Sequence, residues 1–406
     1  GISVDASDDI KNFTITAVLD GCDSVTAEQV WIYPNLMTVG NNNSTSDNGQ
    51  YTLGNGTLTN TNTYGAIGPY RVWEQIGGRW HGMAMSNTSE LWAWGANAYG
   101  QVGNNTKISR PKPILISDDW IDIGNGWGNS LGINSSNFMY TWGLNNWGQL
   151  GNGDKGTATT GLVLKPTRIA AGTLASVRWS SVIGGNTHSL ALTDDKHLYA
   201  WGDNSYGQLN ANPNTYDEFL NPSARAVNFT WLEVAAGAYY SMGIQEDGTL
   251  WSWGRNDYGQ LGIGSTTTTY NRTQVGTATN WTQVKTQYWS SFAINSDGEL
   301  WAWGYNNSGQ LGLGDTTSRN VPTQVVVPGV QWAHVSPGAG EAMAITTDGW
   351  LYTWGNNNSG ELGLGNNDTP VLTPQKVGHM QWDLAEFATY ASYGVAKTFV
   401  PQGYAY

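Results

Sequence analysis

His188, Ser189 and Asp194 come nearest in this chain to a nucleophilic set, an imidazole beside a hydroxyl with a carboxylate close by. Such a set works only when the base can take the hydroxyl proton and the acid orients the base. The pattern around it points to structural roles instead. Ser189 has counterparts in Ser130, Ser241 and Ser290 of similar segments, and Asp194 falls in a hairpin turn. The histidines His81, His188, His197, His334 and His379 show no metal-ligand spacing. Asp154 and Asp315, matched elsewhere by Ser265 and Asn366, read as turn formers. None of the 53 glycines lies in a run that follows a strand and opens a helix, as a phosphate cradle requires. The sequence therefore predicts no catalytic residue, no metal site and no cofactor.

Aromatic side chains offer the chemistry of contact. One set precedes a Gly-Gln turn in four consecutive segments: Tyr99, Trp147, Tyr206 and Tyr258, with Ser308 and Ser359 in the next two. Rings carried into polar turns would give a band of the kind protein or carbohydrate partners favour. Packing over a neighbouring turn is the alternative, because exposed aromatics cost solubility. A second set lies just after a Gly-rich segment: Arg79, Trp80, Trp127, Tyr239, Tyr288 and Tyr390. This slot varies while the frame around it repeats, as a contact surface does.

Both sets depend on a repeat of roughly 50 residues. A Leu/Met-aromatic-x-Trp-Gly segment recurs at Leu91–Gly95, Met139–Gly143, Leu198–Gly202, Leu250–Gly254, Leu300–Gly304 and Leu351–Gly355. Each leads into an Asn-rich Gly-Gln-Leu-Gly turn or a close variant of it. A Trp-led strand opens each unit at Trp73, Trp120, Trp179, Trp231, Trp281, Trp332 and Trp382. The seventh Trp-Gly strand is supplied by Leu36–Gly40, with Met and Val in the tryptophan places, and Gly49-Gln50 with Leu53-Gly54 restores the turn. Every unit holds about four short β-type runs divided by Gly, Asn and Asp turns. In the unit from Trp332, Asp348-Gly349 sits where a hairpin needs a positive φ. One four-stranded sheet cannot bury both faces, whereas seven packed radially can. An all-β, seven-bladed propeller follows, closed by Leu36–Gly40 pairing beside Ser392–Lys397. Residues 1–35 form an N-terminal extension or attachment arm, with a hairpin of Phe13–Leu19 and Gln29–Tyr33. The propeller spans 36–398, and 399–406 is a C-terminal tail.

The signature Leu-Trp-x-Trp-Gly-x-Asn-x-x-Gly-Gln-Leu-Gly-x-Gly, followed by Pro-x-x-Val and a Gly-x-x-x-Ser-x-Ala strand, resembles the RCC1 repeat. The turns, such as Gly314-Asp315-Thr316-Thr317 before Pro322-Thr323-Gln324-Val325, resemble those of bacteriophage and bacterial members of that family. The resemblance implies a seven-bladed propeller, in agreement with the count above. Asn210 departs from it in place of a turn glycine, and Thr286 in place of a glycine before Ser290. In the plant photoreceptor branch the second aromatic slot carries Gly-Trp-Arg-His-Thr. Here Gly126-Trp127 runs into Gly128-Asn129, so no copy is intact.

Lys+Arg 18 against Asp+Glu 31 leaves a net charge of −13, which argues against the basic face that nucleic acid needs and disfavours anionic membranes. No apolar run reaches the length of a membrane span, so membrane insertion is not expected. The low charge, the acidic balance, the Asn/Thr/Gly-rich loops and the non-repeat N-terminal arm fit a non-catalytic recognition protein. A virion-surface or extracellular location is expected, of the tail-fibre, adhesin, decoration or secreted kind. Its partner would be a protein or glycan surface, with other virion subunits reached through residues 1–35. The alternatives are an intracellular regulator or scaffold, like the family's founding nucleotide-exchange factor, and a secreted enzyme inhibitor.

Overall fold

The computed structural model describes residues 36–42, 51–69, 71–157, 159–170, 172–225 except 216, 228–389 and 391–397, together with four two-residue strands before residue 36. Among the described residues the strands form five four-stranded antiparallel sheets, one seven-stranded sheet and two short N-terminal ladders. Blade 1 comprises Trp73–Gly78, His81–Ser86, Leu91–Gly95 and Arg110–Ser117. Blade 2 comprises Trp120–Asn125, Asn129–Asn134, Met139–Gly143 and Val163–Arg168, and blade 3 Trp179–Gly184, His188–Thr193, Leu198–Asp203 and Glu218–Arg225. Blade 4 comprises Trp231–Ala236, Tyr240–Gln245, Leu250–Gly254 and Thr269–Gln274, and blade 5 Trp281–Gln287, Ser290–Asn295, Leu300–Gly304 and Arg319–Val325.

The seven-stranded sheet is two blades sharing one strand. Val371–Phe387 ends blade 6, after Trp332–Pro337, Glu341–Thr346 and Trp350–Gly355, and then opens blade 7. Blade 7 continues through Ala391–Ala396, Leu36–Gly40 and Thr61–Ala66. Ser392 stands opposite Val39 and Gly394 opposite Met37, so Leu36–Gly40 and the last described strand are hydrogen-bonded into one composite blade as expected. Ahead of it, Asn12–Phe13 pairs with Val30–Trp31 and Thr16–Ala17 with Val25–Thr26, a hairpin-like register.

Each opening strand buries its Trp and the residue three places on: Trp120 with Ile123, Trp179 with Val182, Trp281 with Val284. A regular strand would bury alternate residues. A register shift directly after the Trp, as between Trp120 and Asp122, adds one residue to the strand and turns both side chains inward. The third residue then reaches across to the next blade. Gln75 Oε1 accepts the Ile123 N–H at 3.0 Å, Asp122 Oδ2 that of Val182 at 2.8 Å, Glu233 Oε2 that of Val284 at 2.7 Å and Gln283 Oε1 that of Val335 at 2.9 Å. This polar girdle fixes the offset between blades.

The Trp-Gly strands carry the main inter-blade contact. Trp94, Trp142, Trp201, Trp253, Trp303 and Trp354 are wholly buried. From blade 2 to blade 6, each indole Nε1–H donates to a carbonyl of the preceding blade's Gly-Gln turn, as Trp303 does to Gln260 at 2.9 Å. A serine on the adjacent strand donates to the same oxygen: Ser130 to Gln101, Ser189 to Gln149, Ser241 to Gln208 and Ser291 to Gln260, at 2.8–2.9 Å. The counterpart in blade 5 is therefore Ser291, which stands opposite Trp303, and not Ser290, which stands opposite Gly304. Blade 1 has Gly82 in that place because a Cβ there would lie 2.1 Å from the Trp94 ring.

Blade 7 corrects a second expectation. Trp94 Nε1 donates to Thr52 O, and Tyr51 holds φ 48°, the left-handed position that Gly100 takes in blade 1. The turn signature is thus Tyr51-Thr52-Leu53-Gly54. Gly49-Gln50 lies outside the described residues.

Candidate partner-binding face

The Asn-rich turn explains how the first aromatic set is held. The buried side chains of Asn97, Asn145, Asn204 and Asn256 accept the N–H groups of Val102, Leu150, Leu209 and Leu261 at 2.9–3.0 Å. The Gln of each turn folds back, and its Oε1 accepts the N–H of Tyr99, Trp147, Tyr206 or Tyr258 at 2.9 Å. The backbone that presents these rings is fixed by side chains inside the turn. That is the physical content of the Asn-x-x-Gly-Gln-Leu motif.

The second set lies on the loops between the first and second strands of each blade. The residue after each Trp-Gly pair is tied to that loop: Ala96 N–H to Trp80 O, Arg255 N–H to Tyr239 O and Tyr305 N–H to Trp289 O, at 3.0–3.2 Å. The turn of one blade also packs on the loop of the next. Tyr99 meets Trp127 at 6.1 Å, Tyr206 meets Tyr239 at 5.4 Å and Tyr258 meets Trp289 at 5.8 Å between ring centroids. Residues of the two aromatic sets therefore interleave on one face of the ring, in one cluster over blades 1 and 2 and a larger one over blades 3 to 5. Packing against the neighbour and partial exposure hold together, since the neighbour is another part-exposed ring. Trp80 extends the band from Trp127 at 5.4 Å, and Tyr305 extends it from Tyr258 at 4.8 Å.

Trp147 stands outside this arrangement. It is 40% exposed and lies under Lys155, whose Nζ is 5.7 Å from its ring. Tyr258, within the band, is 38% exposed.

Two assignments within the second set change. Arg79 is buried at 4% exposure, not a contact residue. Its guanidinium crosses the channel mouth from blade 1, donating to Asn186 Oδ1 at 2.8 Å and to the carbonyl oxygens of Gly184 and Ala236 at 3.2 Å each. Burial pushes its pKa down to about 10, which leaves it charged at neutral pH. Tyr288 belongs with Arg79: both stand two residues before the second strand of their blade. The band position next to Tyr239 is filled by Trp289, which stacks on it at 5.7 Å and 27°. Tyr390 lies outside the described residues.

Sequence reasoning missed Trp289, Tyr305 and Arg255. Trp289 was legible, since it precedes Ser290 as Tyr239 precedes Tyr240. Arg255 carried no signal, because its place is taken by Ala96, Leu144, Asp203, Tyr305 and Asn356 in other blades. Its Cζ lies 4.7 Å from the Tyr206 ring centroid, 5.7 Å from Tyr239 and 4.7 Å from Trp289, within cation–π range. Asp257 Oδ2 accepts from its Nε at 2.6 Å.

The nucleophilic set does not assemble. Ser189 Oγ is committed to the Gln149 carbonyl, while His188 Nε2 lies 2.9 Å from Ser241 Oγ of the next blade. Burial pushes both His188 and His81 down to about 3, so neither ring is charged at neutral pH. Among the described residues no group of three or more His, Cys, Asp or Glu side chains is placed to hold a metal ion.

One acid pair departs from the repeat. Glu361 replaces the turn Gln of blade 6, and buried Glu341 leads the second strand there. Burial first, and then the Glu361 carboxylate, pushes the Glu341 acid up to about 8. The folded state thus keeps a proton that the unfolded chain releases near 4.5. The associated stability is complete below that value and is lost as pH rises through about 8. Glu341→Gln is expected to melt higher than the wild type at pH 8, with the difference shrinking towards pH 5. Thermal melts at both values check it, and an equal difference at both would contradict the assignment.

Seven blades, six of them carrying a buried Trp that donates to the turn of the preceding blade, and a closed composite blade define a propeller built of RCC1-type repeats. Residues 156–400 match the RCC1-like domain and residues 89–133 the regulator of chromosome condensation (RCC1) repeat. The chain belongs to the RCC1-like domain family. It is 29% identical over 307 residues to the ultraviolet-B receptor UVR8 of Arabidopsis thaliana, covering 74% of this chain and 68% of the receptor. It is 26% identical over 305 residues to the E3 ubiquitin-protein ligase HERC2 of Homo sapiens, where the match spans 74% of this chain but only 5% of the ligase. Among solved structures, human WBSCR16 aligns with a TM-score of 0.76 at 19% identity, covering 90% of this chain and 99% of that one. Prp20p of Saccharomyces cerevisiae aligns with a TM-score of 0.76 at 17% identity, covering 91% and 92%. These likenesses show the fold.

Proposed function

We propose that this chain is a non-catalytic recognition propeller that docks a protein partner on the face formed by Trp80, Trp127 and Tyr99 and by Tyr206, Tyr239, Trp289, Tyr258 and Tyr305. The observation that carries this reading is the meeting of two repeat slots, turn on loop, in two clusters of part-exposed rings on one face, on turns fixed by their own Asn and Gln side chains. Rigid aromatic turns lose little conformational freedom on binding, and Tyr, Trp and Arg are the residue types that dominate interface energies. The relatives lend support to a regulator or scaffold over a virion-surface or secreted protein. Prp20p is described with its binding to Gsp1p and histones, and yeast RCC1 has been crystallised with Kap60. No glycan or virion partner has support among them.

The test substitutes Tyr99, Tyr206 and Tyr258 together by Ser, the residue already present as Ser308 and Ser359 in the same turn position. The ring is expected to melt with little change, while affinity for partners captured by the wild type falls at least about 30-fold, or roughly 2 kcal/mol. Trp147→Ser, and Asp195→Asn with Asp247→Asn on the opposite hairpins, are expected to leave capture intact. Loss of capture on deleting residues 1–35, with no effect of the three serines, would move the binding element to the N-terminal extension.

A further inference from the structure

Among the described residues Arg255 is the one cation packed on the larger aromatic cluster, and its guanidinium is only partly used. Nε is bonded to Asp257, and among the described residues the two Nη groups have no protein acceptor. The side chain is 24% exposed, so the guanidinium is not sealed beneath the rings. Tyr206, Tyr239 and Trp289 surround it at 4.7–5.7 Å, and its backbone N–H is bonded to Tyr239 O at 3.0 Å. Position and orientation are thus set before any partner arrives.

We infer that Arg255 is the specificity-determining contact of this face, and that it receives a carboxylate side chain of the partner through its paired Nη donors. The inference rests on the reading of the aromatic band as a docking surface. Three physical arguments lead to it. An arginine fork matches a carboxylate with two parallel charge-assisted hydrogen bonds, and the Nε edge taken by Asp257 leaves the Nη–Nη edge open for that geometry. The rings exclude water from its flanks, which strengthens a contact ion pair and supplies apolar area for residues beside the acid. Asp257 also holds the guanidinium in place, which reduces the ordering cost of a second carboxylate. The chain's net charge of −13 opposes long-range steering of an acidic protein. The preference therefore arises at contact, and single sites are weak.

The probe is the full chain labelled with 15N-arginine, titrated with capped Phe-Glu-Phe, its neutral isostere Phe-Gln-Phe, and Phe-phosphoserine-Phe. The Arg255 side-chain signal is the one absent from Arg255→Lys. The expected result is a shift of that signal with Phe-Glu-Phe at millimolar concentration, at least fivefold weaker binding of Phe-Gln-Phe, and at least fivefold weaker Phe-Glu-Phe binding to Arg255→Lys. The lysine variant keeps the charge but lacks the fork, so equal binding by it overturns the inference. Equal binding of the Glu and Gln peptides overturns it too, and so does tighter binding of the phosphoserine peptide, which would assign the fork to phosphate. If the three-serine variant loses its partner while Arg255→Lys keeps full affinity, the docking face stands and the carboxylate assignment falls. Loss of neither would remove the face itself.

Discussion

Trp303→Ala is expected to destabilise the ring by about 3–5 kcal/mol, whereas Trp147→Ala should cost under about 1 kcal/mol. The indole of Trp303 is fully buried among Val284, Ala293 and Leu261 of the blade 4–5 wedge, and the surrounding strands are tied to both neighbours. Its removal leaves a large cavity and also deprives the Gln260 carbonyl of one of its two donors, the other being Ser291. A closed ring restricts collapse around the gap, because a blade can move inward on one side only by pulling away on the other. Trp147 has no such place: it is 40% exposed and touches Lys155. Denaturant midpoints at unchanged slope measure both substitutions. Comparable losses would show that the two tryptophans do the same job and that the inter-blade assignment is wrong.

Arg79→Met is expected to cost about 2–4 kcal/mol, with Arg79→Lys recovering only a minor part. Methionine keeps much of the apolar stem and strips the fork that binds Asn186, Gly184 and Ala236. Three acceptors on blades 3 and 4 then lose a charged donor supplied from blade 1, across the channel rather than from an adjacent blade. Water entering the mouth restores some of these bonds, which keeps the cost below the full desolvation penalty. Lysine carries the charge but presents a single nitrogen, so it cannot span all three acceptors. The same denaturant measurement decides the point, and a wild-type midpoint for Arg79→Met would mean that the crossing contributes nothing to closure. Because Arg79 lies beside the aromatic band without belonging to it, partner capture should survive at temperatures where the variant is folded.

Seven units, their strand order within each blade and the joining of Leu36–Gly40 to the C-terminal strand were all legible in the chain. Each follows from local chemistry repeated many times. Tryptophan needs a wedge to bury it, a positive φ needs glycine or asparagine, and an Asn-Gln turn stitches itself with its own side chains. One unmatched strand at each end leaves a single way to close. The repeat also disposed of the nucleophilic set, since a serine found in several units at one place is a part of the frame.

What the sequence could not settle was anything that depends on a distance between units. Ser290 and Ser291 differ by one residue, and only the pairing of Ser291 with Trp303 shows which of them donates to Gln260. Arg79 and Trp80 are neighbours in the chain, yet one side chain is drawn across to blades 3 and 4 and the other meets Trp127 on the face, a division set by the bend they form and by which neighbouring blades lie within reach. That Tyr206, Tyr239, Trp289 and Arg255 meet at all is set by the radial packing of blades. It places the turn of one blade over the loop of the next and brings together residues from three units. Periodicity within the sequence determined the ring, and the packing between its blades decided which residues share the face.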